Sequence, residues 1–151
     1  MAAIVTRGTL AGYFEKVSQE NVELVRRLFE VYNERSFVEN ADLIDPEIVW
    51  DVSRVEVPDA LSSTGRDELR GFAEGWEETF TAEHVEAEEM LDAGDQVVVM
   101  VRHRGRGKAS GIEIEQQFAM VWTLREGRAV RMVMYPTRAE ALEAAGLRDL
   151  A

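Results

Sequence analysis

After Thr81 the apolar residues change their spacing from three-to-four to two, and they keep it as far as Tyr135. A period of two belongs to a strand with one buried face. Runs at about 83–92, 95–106, 112–124 and 128–135 read as four strands, broken at Ala93-Gly94, at Gly107 to Gly111 and at Glu126-Gly127. Breaks this short make neighbours antiparallel, so this half of the chain predicts a meander. Its longest hairpin can be phased. With the turn centred near Ala109-Ser110, Arg106 meets Glu113, Arg104 meets Glu115 and Arg102 lies across from Gln117. Opposite charges then share one side of the sheet. The other side collects Val97, Val99, Val101 and His103 against Trp122, Met120, Phe118 and Gln116. A slip of one residue would set arginine against isoleucine, which argues for this register.

Ahead of Thr81 the spacing is helical. Residues 1–17 show no clean period and read as an N-terminal arm, leaving 18–151 as a single domain. From Ser18, Val22, Val25, Phe29 and Tyr32 form a stripe that Leu24, Leu28 and Val31 widen. Phe37, Ala41 and Ile44 suggest a second short helix, stopped before Asp45-Pro46 because a residue preceding proline is pushed out of the helical region. Val49 to Val57 reads as a strand closed by Pro58. A third helix starts near Thr64, whose hydroxyl can cap it with Asp67 three residues on, and carries Leu69, Phe72, Trp76 and Phe80 on one stripe. A last short helix runs from a Thr137 cap to Gly146. Helices gathered on one face of a curved antiparallel sheet make an α+β fold that encloses a cone.

The 151 residues suit one domain, and 46% hydrophobic content excludes the disordered class. Without cysteine there is no disulfide or thiolate chemistry, which accords with a cytoplasmic setting. The opening Met1-Ala-Ala-Ile-Val-Thr-Arg7 lacks the basic stretch and apolar core of a secretory signal, and no apolar run is long enough to cross a membrane. A net charge of −12 repels nucleic acid and anionic membranes. The basic cluster Arg102 to Lys108 sits at a hairpin tip and is followed by Glu113 and Glu115. Two histidines among scattered acids lack zinc spacing, and Gly105, Gly107 and Gly111 lack the strand-to-helix setting of a nucleotide loop. Neither a metal nor a cofactor is expected.

Three residues stand out as candidate catalytic groups. Asp51 ends the segment Asp45-Pro-Glu-Ile-Val-Trp-Asp51. In apolar surroundings such as Phe37, Trp76 and Phe80 its pKa would rise and suit a general base. The alternative is a strand-edge carboxylate, solvated or paired with Arg54 or Arg66. His103 is aimed inward beside Gln116, placed to orient a substrate, relay a proton or bond an oxyanion. It serves equally as a polar residue at the mouth, satisfied by Gln116 or water. Tyr135 ends the last strand, with its hydroxyl in the pocket or its ring in the core. Phe118, Met120 and Trp122 are core residues that also suit an inner wall. Trp50, Met132 and Met134 are expected on the outer face with Val98, Met100 and Val121, too apolar a surface to stay uncovered. A homodimer through that face is the expectation.

Four segments carry a family resemblance: Val25-Arg-Arg-Leu-Phe-Glu-Val-Tyr-Asn33, Asp45-Pro-Glu-Ile-Val-Trp50, Thr64-Gly-Arg-Asp-Glu-Leu69, and Phe118-Ala-Met-Val-Trp-Thr-Leu-Arg-Glu-Gly-Arg128. From Ser18 to Leu147 the chain resembles the SnoaL-like, ketosteroid-isomerase-like superfamily of the nuclear transport factor 2-like fold. The resemblance implies a cone-shaped roll with a cavity for a small apolar ligand, lined by Leu28, Tyr32, Phe37, Trp76, Phe80, Gln116, Phe118, Met120 and Trp122. It sets Asp51 where ketosteroid isomerases keep their proton-moving carboxylate. Their oxyanion donors are not matched: Leu28 stands at the tyrosine position, with Tyr32 one turn later, and Met120 or Ala119 at the aspartate position. The implied activity is a cofactor-independent isomerase, cyclase or lyase on a small apolar carbonyl or polyketide-like compound. Asp51 would take the proton, and His103, with Tyr135 or Tyr32, would bond the oxygen. The alternative is a non-catalytic small-molecule-binding module or a dimeric scaffold, because one fold hosts many functions.

Overall fold

The computed structural model describes residues 9–55 and 62–147. Helix α1 (Thr9–Glu34) leads through a 3-10 stretch (Val38–Leu43) into strand β1 (Ile44–Asp51). Strand β2 (Ser62–Thr64) and helix α2 (Arg66–Thr79) follow. Then come β3 (Phe80–Ala93), β4 (Gln96–Gly107), β5 (Glu113–Arg125), β6 (Arg128–Tyr135) and helix α3 (Arg138–Ala144). The six strands form one sheet in the order β2-β1-β6-β5-β4-β3. β1 runs parallel to β6, and every other pairing is antiparallel. The result is the expected α+β roll.

The hairpin register is the one that charge and apolar phase predict. Arg106 faces Glu113, Arg104 faces Glu115, Arg102 faces Gln117 and His103 faces Gln116. On the outer side Arg106 bonds Glu113 at 2.6 Å, while Arg102 holds both Glu88 and Glu115. On the inner side Val97, Val99, Val101, Phe118, Met120 and Trp122 join the main core with Val25, Leu28 and Phe29 of α1.

Several sequence expectations are corrected. Helix α1 begins at Thr9, nine residues ahead of the periodic stripe. β1 starts at Ile44, not Val49; Pro46 is accommodated where the β1–β6 register shifts between Ile44 and Val49. The expected strand end at Val57-Pro58 lies outside the described residues. Gly65, with φ 116°, holds the N-cap position of α2, while Thr64 pairs with Val49 in β2 and caps nothing. Phe80 opens β3 instead of closing α2. Thr137 does cap α3, accepting the Glu140 N–H at 3.2 Å.

The outer face is also different. Trp50, Met132 and Met134 point inward into the main core. Val98, Ala119 and Val121 form the outer cluster, and α3 of the same chain covers them with Ala141 and Leu142. Much of the apolar surface that called for a second subunit is therefore buried within one chain.

One side chain fastens α1 to the sheet. β3 is an edge strand, so half of its backbone groups lack a strand partner. Asn33 supplies one: its Nδ2 donates to the Val85 carbonyl at 2.8 Å, and its Oδ1 accepts the Val85 N–H at 2.9 Å. Asn33→Ala leaves both groups unpaired beside the core and should lower stability by about 1–3 kcal/mol. Urea unfolding with an unchanged slope and a lower midpoint is the expected readout.

Candidate functional site

Between α1, α2 and the inner face of the sheet lies a cavity of about 180 Å³. Of the residues expected around it, Leu28, Tyr32 and Phe37 line it from the α1 side and Trp76 from α2. Phe118, Met120 and Trp122 line it from β5. Met132 and Met134, expected on the outside, line it as well. The walls are braced by aromatic contacts, with Trp76 edge-on to Phe118 at 6.1 Å between centroids and 5.6 Å from Phe72. Phe80 and Gln116 stand one layer back, both against His103.

The polar part of the wall includes Tyr32, Arg35 and Glu77. Behind it is a buried chain that starts at Glu83, whose side chain has no exposure. The Tyr32 hydroxyl donates to Glu83 Oε2 at 2.8 Å, and His103 Nε2 lies 2.6 Å from the same oxygen. The Gln116 amide nitrogen lies 3.0 Å from His103 Nδ1. That makes Nδ1 the acceptor and leaves the ring proton on Nε2, directed at Glu83. Arg35 bonds Glu77 at 2.8 Å and reaches to 3.8 Å from Glu83 Oε1. Glu83 Oε1 itself has no hydrogen-bond partner among the described residues.

Local sequence explains this placement. Val85 and Ala87 pack inward from β3, and a period of two sends Glu83 the same way. Ala82 takes a left-handed φ of 53° where the β3–β4 register shifts between Thr81 and His84. His103 is sealed by Trp76 at 4.5 Å and Phe80 at 5.2 Å between ring centroids. Gly105 permits the second contact, because a Cβ there would meet the Phe80 Cβ at 3.0 Å.

Asp51 and Tyr135 are not brought to this cavity. Ile48, Trp50 and Val52 face inward, so Asp51 points to the opposite side. Its Oδ1 accepts from the Ser53 N–H at 2.9 Å and the Ser53 hydroxyl at 2.6 Å, and Arg54 pairs with Oδ2 at 2.5 Å. Tyr135 belongs to the outer cluster and carries the Arg54 guanidinium 5.3 Å above its ring. Glu83 was the residue sequence reasoning missed. Its signal was there, two positions before the inward-facing Val85.

Three further buried donors have no hydrogen-bond partner among the described residues: Trp50 Nε1, Trp122 Nε1 and Arg70 Nε. Trp122 and Arg70 line the cavity. No group of three or more His, Cys, Asp and Glu placed to hold a metal occurs among the described residues. No described helix is long and apolar enough to cross a membrane.

The SnoaL-like domain family model matches residues 25–132. No curated protein matches at a significant level. Solved structures of similar fold include a protein from Jannaschia sp. CCS1, provisionally described as a SnoaL-like polyketide cyclase. It is 22% identical, with 84% of this chain and 91% of that chain covered and a TM-score of 0.68. Bal32a, from a soil-derived mobile gene cassette, is 18% identical over 84% of this chain and 96% of its own, with a TM-score of 0.71. A ketosteroid isomerase-like protein from Catenulispora acidiphila, solved with trimethylamine, is 17% identical over 83% and 93%, with a TM-score of 0.66. At these identities the likeness is one of fold.

Burial, then the neighbouring charge and hydrogen bond of Glu83, push the Tyr32 phenol well above its ordinary value of 10.0. Above pH 10 the unfolded chain gives up this proton and the folded chain keeps it. Folding therefore loses about 1.4 kcal/mol per pH unit from this group as pH rises past 10. Tyr32→Phe should remove that slope, read as a stability gap between the two proteins that narrows above pH 10.

Proposed function

Because the chain belongs to the SnoaL-like domain family, we propose that it binds a small, largely apolar carbonyl compound and moves a proton beside the carbonyl. The carrying observation is the Glu83 carboxylate, buried behind the cavity wall in contact with His103 and with Tyr32, which lines the cavity, while its Oε1 has Arg35 at 3.8 Å and no hydrogen-bond donor among the described residues. A buried acceptor without a partner is costly unless a ligand or proton uses it. As the Tyr32 hydroxyl, which lines the cavity, takes a proton from the carbon next to the carbonyl, its own proton passes along the 2.8 Å hydrogen bond to Glu83 Oε2, and the C–H electrons pass into an enolate. Arg35, which lines the cavity beside Glu83, meets the charge on the enolate oxygen. His103 keeps Glu83 oriented, and Tyr32 remains protonated as a donor. The proton returns to the same or another carbon. Asp51 and Tyr135 take no part.

Size narrows the ligand. A cavity of about 150 Å³ accommodates benzene, while drug-sized ligands occupy roughly 300–1,000 Å³. At about 180 Å³ this one suits a single ring with short substituents. A binding module without turnover is the competing reading, favoured by the mutual hydrogen bonding of Glu83, Tyr32 and His103.

The discriminating assay is deuterium exchange into the methyl group next to the carbonyl of 4-ethylacetophenone in heavy water. The wild-type chain should accelerate it above buffer. Glu83→Gln should lose about 100-fold or more, and Asp51→Asn should stay within about 2-fold, since Asp51 is outside the cavity. Binding without exchange would identify a binding module.

For the quaternary state we propose pairing through the open part of the outer face, where Val49 is 45% exposed near Val133 and Tyr135. Light scattering should return twice the chain mass, and Val49→Glu should return the single-chain mass.

A further inference from the structure

The cavity has a second polar feature that the proton-transfer chemistry leaves unused. Trp122 lines it from β5 and is only 7% exposed, yet its indole N–H has no acceptor among the described residues. Its partners across the sheet are Val97 and Met132, side chains with no oxygen to offer. A buried tryptophan N–H ordinarily finds a partner. Trp50 faces Met132 from the other side and has the same orphan donor, but it does not line the cavity. Along the inner face of β5, Trp122 and Gln116 stand at opposite ends, separated by Phe118 and Met120. The free indole donor is thus remote from the Glu83–His103 pair.

We propose that the Trp122 indole N–H is a second ligand anchor, so that the site selects single-ring carbonyl compounds with an oxygen acceptor at the end away from the carbonyl. The inference rests on the reading of the cavity as a carbonyl-compound site. It assigns Trp122 a role in specificity and none in proton transfer. A ligand with only apolar atoms at that end leaves the donor buried and unpaired, and binds more weakly for it.

The test uses two probes that share ring and carbonyl and differ at one atom: 4-methoxyacetophenone and 4-ethylacetophenone. Affinities are measured by calorimetry for the wild-type chain and for Trp122→Phe, which removes the donor and keeps an aromatic ring. The methoxy-to-ethyl affinity ratio should fall roughly 3- to 10-fold on the substitution. An unchanged ratio overturns the anchor. A second readout needs no variant. In the wild-type chain carrying ¹⁵N-tryptophan, the Trp122 indole N–H signal should move downfield with 4-methoxyacetophenone and not with the ethyl compound. Equal response to both overturns the anchor while leaving the carbonyl site standing. Failure of both probes to bind overturns the anchor and the carbonyl site together.

Discussion

A carboxylate with no exposed surface must be compensated from within the protein, because burying an unpaired charge costs several kcal/mol or more. Glu83 is that carboxylate here, and its compensation comes from separate elements: Tyr32 in α1, His103 in β4, and Arg35 just past the end of α1. The helix layer and the sheet are thereby fixed to each other at the polar side of the cavity. Asn33, next to Tyr32 in sequence, adds a neutral clamp onto Val85, two residues from Glu83. The arrangement includes two left-handed non-glycine residues, Arg35 and Ala82, at roughly 1–3 kcal/mol each. Distortion of that size flanking a buried charge is what a functional site often requires.

The rest of the cavity is the counterpart of this polar cluster. Trp76 touches both His103 and Phe118, so one ring separates the buried acid–base pair from the apolar interior and also forms its wall. In such a low-dielectric space each polar contact is stronger than it would be in water, and each unmet one is more costly. The polar side chains at the cavity are few: Tyr32, Arg35, Arg70, Glu74 and Glu77, with the Trp122 indole on β5.

Much of this was legible in the residues, and the failures have local causes. The β4–β5 register followed from charge pairing and apolar phase together, since a slip would have spoiled both. His103 beside Gln116 came with it. The resemblance sets Asp51 at a proton-moving position, whereas the alternation with the inward-facing Ile48, Trp50 and Val52 turns its side chain outward. Placing Trp50 on the outer face, with Met132 and Met134, belonged to the same error of phase. Glu83 was hidden among 29 acidic residues, next to a register shift that blurs the period of two. The partnership of Asn33 with Val85 and of Tyr32 with Glu83 spans about fifty residues, a separation that no local pattern encodes.

β3 runs for 14 residues along the rim of the sheet, a length that would ordinarily invite other chains to add their strands. Three features make it a poor template. The amide of Asn33 already occupies the backbone at Val85, two register shifts break its straightness, and Glu86 and Glu88 project into solvent from a chain with a net charge of −12. The residues that anchor α1 and distort the sheet around Glu83 thus also guard against fibrous self-association. Crowded conditions that make a flat, neutral rim precipitate should leave this molecule dispersed.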